Sequence, residues 1–196
     1  MDNNMKIGIV FGTFAPMHMG HMDVINIAKK EMDKVIVICC GHEGDRGYPL
    51  FPLDMRYKCV SKEFADDEQV FVTILYDTDP EIKKHWNQQQ IWNYWVERML
   101  LHLFQSELIA AKDEITFFTS EPDYAELLWN TPQSDRAKKA AISDEFYAAS
   151  GISDGRGTGI KVHLCQRNRP ISGTMIRENP QKYQDQIVRA YREFHL

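Results

Sequence analysis

The sequence has no apolar stretch long enough to cross a membrane, no glycine-rich segment of the P-loop type, and no excess of positive charge. The first absence excludes a chain that spans a bilayer as a helix. The second excludes the phosphate cradle G-x-x-x-x-G-K-[ST], and no G-x-G-x-x-G follows the first apolar run either. Lysine and arginine number 23 against 28 acidic residues, for a net charge of −5. Such a chain is poorly suited to non-specific nucleic-acid binding, which rests on many cationic phosphate contacts. Cysteine is scarce: Cys39, Cys40, Cys59 and Cys165 form no C-x-x-C pair. They fit buried thiols in a reducing compartment, not a disulfide framework or a zinc site. The N-terminus, Met1-Asp2-Asn3-Asn4, is polar and shows no secretory pattern. The expectation is a cytoplasmic protein that handles a small charged ligand, with no nucleic-acid or membrane partner. Homo-oligomerisation is left open.

What is present is an alternation of apolar runs and amphipathic stretches. Residues 6–11 form a nearly continuous apolar run, as a strand buried on both faces requires. A turn follows at Gly12 to Pro16, then a predicted helix over 18–31 with Met22, Ile25 and Ala28 on one stripe, then a second strand over 33–40. Strand, helix and strand within about forty residues predict a parallel βαβ unit. Further strands are expected at 70–76, 115–119 and 160–165, and helices at 53–64, 88–111, 124–129, 137–150, 172–177 and 184–194. The fold class predicted is α/β: one Rossmann-like, doubly wound parallel sheet of about five strands with C-terminal helices, as a single domain over 1–196. Residues 130–159 are expected to form a flexible insertion, with four glycines between Ser150 and Gly159. Ligands of such sheets bind beyond the carboxyl ends of the strands, where strand order reverses.

The stretch Gly12-Thr13-Phe14-Ala15-Pro16-Met17-His18-Met19-Gly20-His21 sits at such a position, between a strand and a helix. Helix N-termini attract anions through free N–H groups and the macrodipole. His18 and His21, three apart, can face one ligand, and Gly20 between them leaves room for a nucleotide to approach. Each piece also has a plain structural reading. A histidine in a first helical turn can be a cap or a surface residue, and Met17, Met19 and Met22 suit packing.

Gly12-Thr13-Phe14 with His18-x-Gly20-His21 resembles the signature of the nucleotidylyltransferase superfamily. Ile171-Ser172-Gly173-Thr174-Met175-Ile176-Arg177 resembles its distal I-S-x-T-x-I-R element. Glu178-Asn179-Pro180 and Phe118-Thr119-Ser120-Glu121-Pro122 narrow the likeness. Together they resemble the adenylyltransferase domain of bacterial bifunctional nicotinamide mononucleotide adenylyltransferase/ribosylnicotinamide kinases, over roughly residues 5–130 and 160–185. The resemblance implies a reaction in which a mononucleotide and ATP give NAD and pyrophosphate. It implies His18, His21 and Arg177 as the catalytic residues. It places ATP on Gly12, Thr13, Phe14, Gly20, Ser172 and Thr174. It places a pyridine mononucleotide on Trp92, Trp95, Arg46 and Glu121. Mg2+ is implied as a bridge between substrate phosphates, with no protein cage of its own.

Structural readings stand beside these roles. Ser172 and Thr174 suit plain N-capping, Trp92 and Trp95 lie on the core stripe of their helix, Arg46 and Arg56 suit the surface, and Glu121 suits a first-turn acid. Members of the resembled family often continue into a kinase domain with a P-loop; no such loop occurs here, and kinase activity is not expected. Two other kinds of function stay open. One is adenylyl or cytidylyl transfer to another acceptor: nicotinate mononucleotide, pantetheine phosphate or a polyol phosphate. The other is a nucleotide-sensing module without turnover.

Overall fold

The computed structural model describes residues 4–41, 51–76, 83–131 and 160–193. Among them, five strands form one sheet: β1 (Lys6–Gly12), β2 (Lys34–Cys39), β3 (Val70–Ile74), β4 (Glu114–Thr119) and β5 (Lys161–Leu164). The order is β3-β2-β1-β4-β5 and every pairing is parallel. The chain therefore runs outward from β1 to β3, then crosses back to the other side of β1 for β4 and β5. The reversal falls between β1 and β4, and it opens a crevice at their carboxyl ends.

Side chains alternate across the sheet with period two. Val10, Val35, Val37 and Cys39 face one layer, with α1 (Met19–Glu31) and α2 (Leu53–Glu63). Ile7, Ile9, Ile36, Ile38, Ile115 and Phe117 face the other, with α3 (Gln88–Gln105). On α3 the buried stripe is Val96, Met99, Leu100 and Leu103, the spacing of one helical face. The Asn87 side chain accepts from the Gln90 N–H, and the Gln90 side chain accepts in turn from the Asn87 N–H. That capping box fixes where α3 begins. A shorter helix, α4 (Pro122–Trp129), starts on Pro122, whose missing N–H costs nothing there. Last come α5 (Gly173–Glu178), a 3-10 turn (Gln184–Gln186) and α6 (Arg189–Arg192).

Several predicted elements differ in extent from those observed. The helix expected over 88–111 stops at Gln105. Glu107 takes a φ of 57°, and the Leu108 N–H reaches back to the Leu103 carbonyl, closing the helix as a Schellman turn without glycine. The helix expected over 184–194 is instead the 3-10 turn and one-turn α6. Between them Ile187 and Val188 are extended: Ile187 bridges His18, and the Val188 N–H donates to the Met17 carbonyl. That pairing to the segment before α1 outweighs local helical preference. The strand expected over 70–76 ends at Ile74. The helix expected over 137–150, and most of the insertion at 130–159, lie outside the described residues.

At Gly8 the end of α1 packs tightly against the sheet. A Cβ there would sit 3.0 Å from Met32 Cγ, 3.2 Å from the Phe118 ring and 3.3 Å from Ala28 Cβ. Gly8→Val is expected to cost roughly 1–3 kcal/mol by overpacking, read as a lower urea midpoint at unchanged slope. An unchanged midpoint would refute so tight a fit between α1 and β1.

Candidate active site

A cavity of about 360 Å³ opens at the carboxyl ends of β1 and β4, a size that suits a small ligand. Its wall brings together residues far apart in sequence. Gly12 and Thr13 come from the end of β1, and His18, Gly20, His21 and Asp23 from the start of α1. Thr119, Ser120, Glu121, Asp123 and Tyr124 come from the end of β4 and the start of α4. Gln166 to Arg169, Ser172, Thr174 and Arg177 come from the segment after β5 and from α5. Both imidazoles and the Arg177 guanidinium therefore share one cavity.

The start of α1 explains the paired histidines. His18 is the N-cap, with extended backbone, and its Nδ1 accepts from the Gly20 N–H at 3.2 Å. His21 Nδ1 accepts from the His18 N–H at 3.2 Å. The rings stack with centroids 3.8 Å apart. Two orphan N–H groups of the helix start are thus satisfied by imidazoles in place of the usual hydroxyl or carboxylate. Because each Nδ1 accepts, the proton of each neutral ring belongs on Nε2. His18 is 5% exposed, and burial, helped by the nearby Arg167 charge, pushes its pKa down to about 4. At neutral pH it is an uncharged donor. The cap also sets the tautomer, leaving Nε2–H as a donor. Gly20 has a reason beyond ligand access. A Cβ there would lie 3.1 Å from the His18 ring and 3.2 Å from Ile171.

Arg177 donates through Nη1 to the Ala15 carbonyl at 2.6 Å and through Nη2 to Thr174 Oγ1 at 3.1 Å. Ser172 caps α5 by accepting from the Met175 N–H at 3.2 Å. Phe14 does not line the cavity. It is fully buried behind it, with its ring edge-on to His21 at 5.0 Å. Trp92 and Trp95 do not line it either. They pack around Phe11, at 5.9 and 4.7 Å, and Trp92 lies 4.9 Å from Tyr124. Phe11, Phe118 and Tyr124 are on the wall, with the tryptophans packed behind Phe11 and Tyr124. Glu121 is on the wall, bridged to Arg167 at 2.5 Å. Arg46 lies outside the described residues.

Sequence reasoning passed over several cavity residues. Arg167 and Arg169 follow β5 and bridge Glu121 and Asp23, the latter at 2.8 Å. Their place after a strand's carboxyl end was the available signal. Arg56, read as a surface residue, is wholly buried. It donates to the carbonyls of Thr13 at 2.5 Å, Cys40 at 2.9 Å, Gly41 at 2.6 Å and Phe51 at 2.8 Å.

A parallel sheet whose switch-point cavity gathers imidazole, hydroxyl and guanidinium donors at two helix starts is the architecture of an α/β nucleotidyltransferase. The cytidylyltransferase-like family model matches residues 9–179, and the chain belongs to that family. Among solved structures it is similar to the NadR protein in complex with NAD and AMP-PNP, at 28% identity and a TM-score of 0.69. That likeness covers 96% of this chain and 46% of the NadR chain. Among curated relatives, a probable nicotinate-nucleotide adenylyltransferase of Fusobacterium nucleatum is 37% identical over 81 residues, 40% of this chain and 39% of the relative. A phosphopantetheine adenylyltransferase of Lawsonia intracellularis is 32% identical over 71 residues, 36% of this chain and 40% of the relative. The chain thus spans about two fifths of the curated relatives it matches, and under half of the NadR chain.

The depressed His18 pKa has a consequence for stability. Between its ordinary value of 6.5 and about 4, the unfolded state binds the extra proton and the folded state does not. Stability therefore rises with pH in that window and is lost as pH falls from 6.5 toward 4. His18→Asn keeps a capping oxygen but removes the titration. It is expected to shrink the fall in Tm between about pH 7 and pH 4.5. An identical fall in both proteins would mean that His18 is not buried as a neutral ring.

Proposed function

We propose that the chain joins nicotinamide mononucleotide to ATP, giving NAD and pyrophosphate. The observation that carries this reading is the single cavity in which His18, His21 and Arg177 meet at two helix starts. The likeness to NadR over almost the whole chain supports a pyridine mononucleotide as acceptor. The aromatic group of Phe11, Tyr124, Trp92 and Trp95 beside the cavity supports an acceptor with a flat ring.

The chemistry asks little covalent help from the protein. The 5′-phosphate of the mononucleotide has a second pKa of about 6, so it is largely a dianion at neutral pH. One of its oxygens forms a bond to the α-phosphorus of ATP. The bond from that phosphorus to the bridging oxygen breaks, and pyrophosphate leaves with the electron pair. No general base is required. The protein holds two anions in line and stabilises charge as it moves onto the leaving group. His18 and His21 donate through Nε2–H to the ATP phosphates, and neutral His18 does so without adding a counter-charge that would over-stabilise the ground state. Thr13, Gly12 and Gly20 form the floor for the α-phosphate. Ser172, Thr174 and the Arg177 fork take the β- and γ-phosphates. Magnesium would supply neutralisation of phosphate charge, while the imidazole, hydroxyl and guanidinium groups of this wall would meet the phosphate oxygens rather than the cation.

Pyrophosphate release from ATP should be measured with nicotinamide mononucleotide, nicotinate mononucleotide and pantetheine phosphate, with CTP as the alternative donor. The expected result is turnover with nicotinamide mononucleotide and ATP and a product of the mass of NAD. Preference for an acceptor without a pyridine ring would overturn the assignment. Stoichiometric nucleotide binding without pyrophosphate would point to a sensing module. His21→Ala is expected to lower turnover by about 100-fold or more, with mononucleotide affinity near wild type.

A further inference from the structure

Three consecutive carbonyls of the turn between β1 and α1 are each held by a side chain from a distant part of the chain. Arg56 of α2 takes Thr13, Tyr191 of α6 takes Phe14, and Arg177 of α5 takes Ala15. Arg177 faces the cavity. Arg56 and Tyr191 do not: they are 0% and 1% exposed and lie behind the turn. The Arg56 guanidinium donates to four backbone carbonyls, which lie on the turn, on the exit of β2 and just before α2. Tyr191 is kept protonated by burial, so its hydroxyl is a donor. Between these anchors Phe14 has a φ of 46°, a region that a bulky L-residue rarely enters. Such a conformation costs energy and persists only where the surroundings over-determine it.

We infer that Arg56 and Tyr191 are positioning residues for nucleotide binding, fixing from behind the turn that presents Thr13 and the start of α1 to the triphosphate. The inference rests on the proposed donor site, and it assigns work there to two residues that touch no substrate. Lysine cannot replace Arg56, because its three donors radiate from one atom and lack the planar fork that reaches four separate carbonyls. Phenylalanine at 191 keeps the buried ring and removes the bond to the turn, together with a long one, 3.4 Å, to the Arg56 carbonyl.

The test compares Tyr191→Phe and Arg56→Lys with Ile115→Val, a core change on the other face of the sheet. Rates are measured well below each Tm, with ATP and whichever acceptor gives product. ATP affinity is measured separately by calorimetry. For Tyr191→Phe the expected loss in kcat/KM for ATP is about tenfold, and for Arg56→Lys about 100-fold, since small misplacements of a reacting phosphate are costly. The KM for the acceptor stays near wild type. Ile115→Val lowers Tm without changing either constant. Guanidinium added to Arg56→Ala is expected to restore part of the lost rate. If Arg56→Lys does not fold, Tyr191→Phe decides alone. The inference is overturned if Tyr191→Phe binds and uses ATP as wild type does while only its Tm falls. If wild type itself turns over no acceptor, the proposed function fails. The ATP affinity of the variants then decides the clamp: weaker binding supports it and unchanged binding ends it.

Discussion

The turn from Thr13 to Ala15 is where the architecture is most constrained. Carbonyls taken out of water must find donors, and three in succession cannot all be satisfied by a tight turn's own N–H groups. Here each finds a donor from a different helix, α2, α5 or α6. The turn is therefore the point at which the early βαβ unit, the second helix and the end of the described chain are joined. A left-handed Phe14 is tolerable because those anchors leave the backbone no better alternative. The same geometry sets the angle at which α1 leaves the sheet, and with it the direction of both imidazoles.

The electrostatics of the cavity run against the chain as a whole. Net charge is −5, yet three arginines line this wall. Two of them are engaged by carboxylates of the same wall, Arg167 by Glu121 and Arg169 by Asp23. These pairs are partly exposed, so each is worth little to stability. They keep the cavity from carrying a large uncompensated charge while leaving guanidinium groups within its wall. His18 fits the same logic. An uncharged imidazole on a helix start can meet a phosphate without repelling its arginine neighbours, and burial beside Arg167 keeps it uncharged.

Much of this was legible in the sequence where the signal is local. Continuous apolar runs marked β1, β2 and β4, and the i, i+3 histidines after the first strand marked the end of the sheet where the cavity opens. The distal Ile171 to Arg177 segment lies in the same cavity, as its resemblance implied. Features that depend on tertiary partners were not legible. An arginine on an amphipathic helix reads as solvated. Arg56 is buried because carbonyls from three segments surround it. Ile187 and Val188 sit in a stretch of helical character but pair with Met17 and His18. Trp92 and Trp95 satisfied both the core stripe and the expected aromatic stack, and packing around Phe11 put them behind the wall. The end of α3 rests on a left-handed glutamate, which no glycine announced.

The pattern of relatives separates two halves of the proposed reaction. The curated matches carry different acceptors in their names, nicotinate nucleotide in one and phosphopantetheine in the other, at 37% and 32% identity over stretches of similar length. Likeness at that level does not discriminate among acceptors. What the two names share is adenylyl transfer. In the proposed reaction the ATP half falls to the clamped turn, the capped start of α1 and the Arg177 fork, which are built from backbone geometry and charge. On the proposed reading acceptor choice lies with side chains beyond that framework, and the aromatic layer around Phe11 and Tyr124 is a part of the described wall suited to it. Exchanging residues there should shift selectivity among acceptors while leaving ATP affinity in place, whereas disturbing the turn should lower turnover with every acceptor alike.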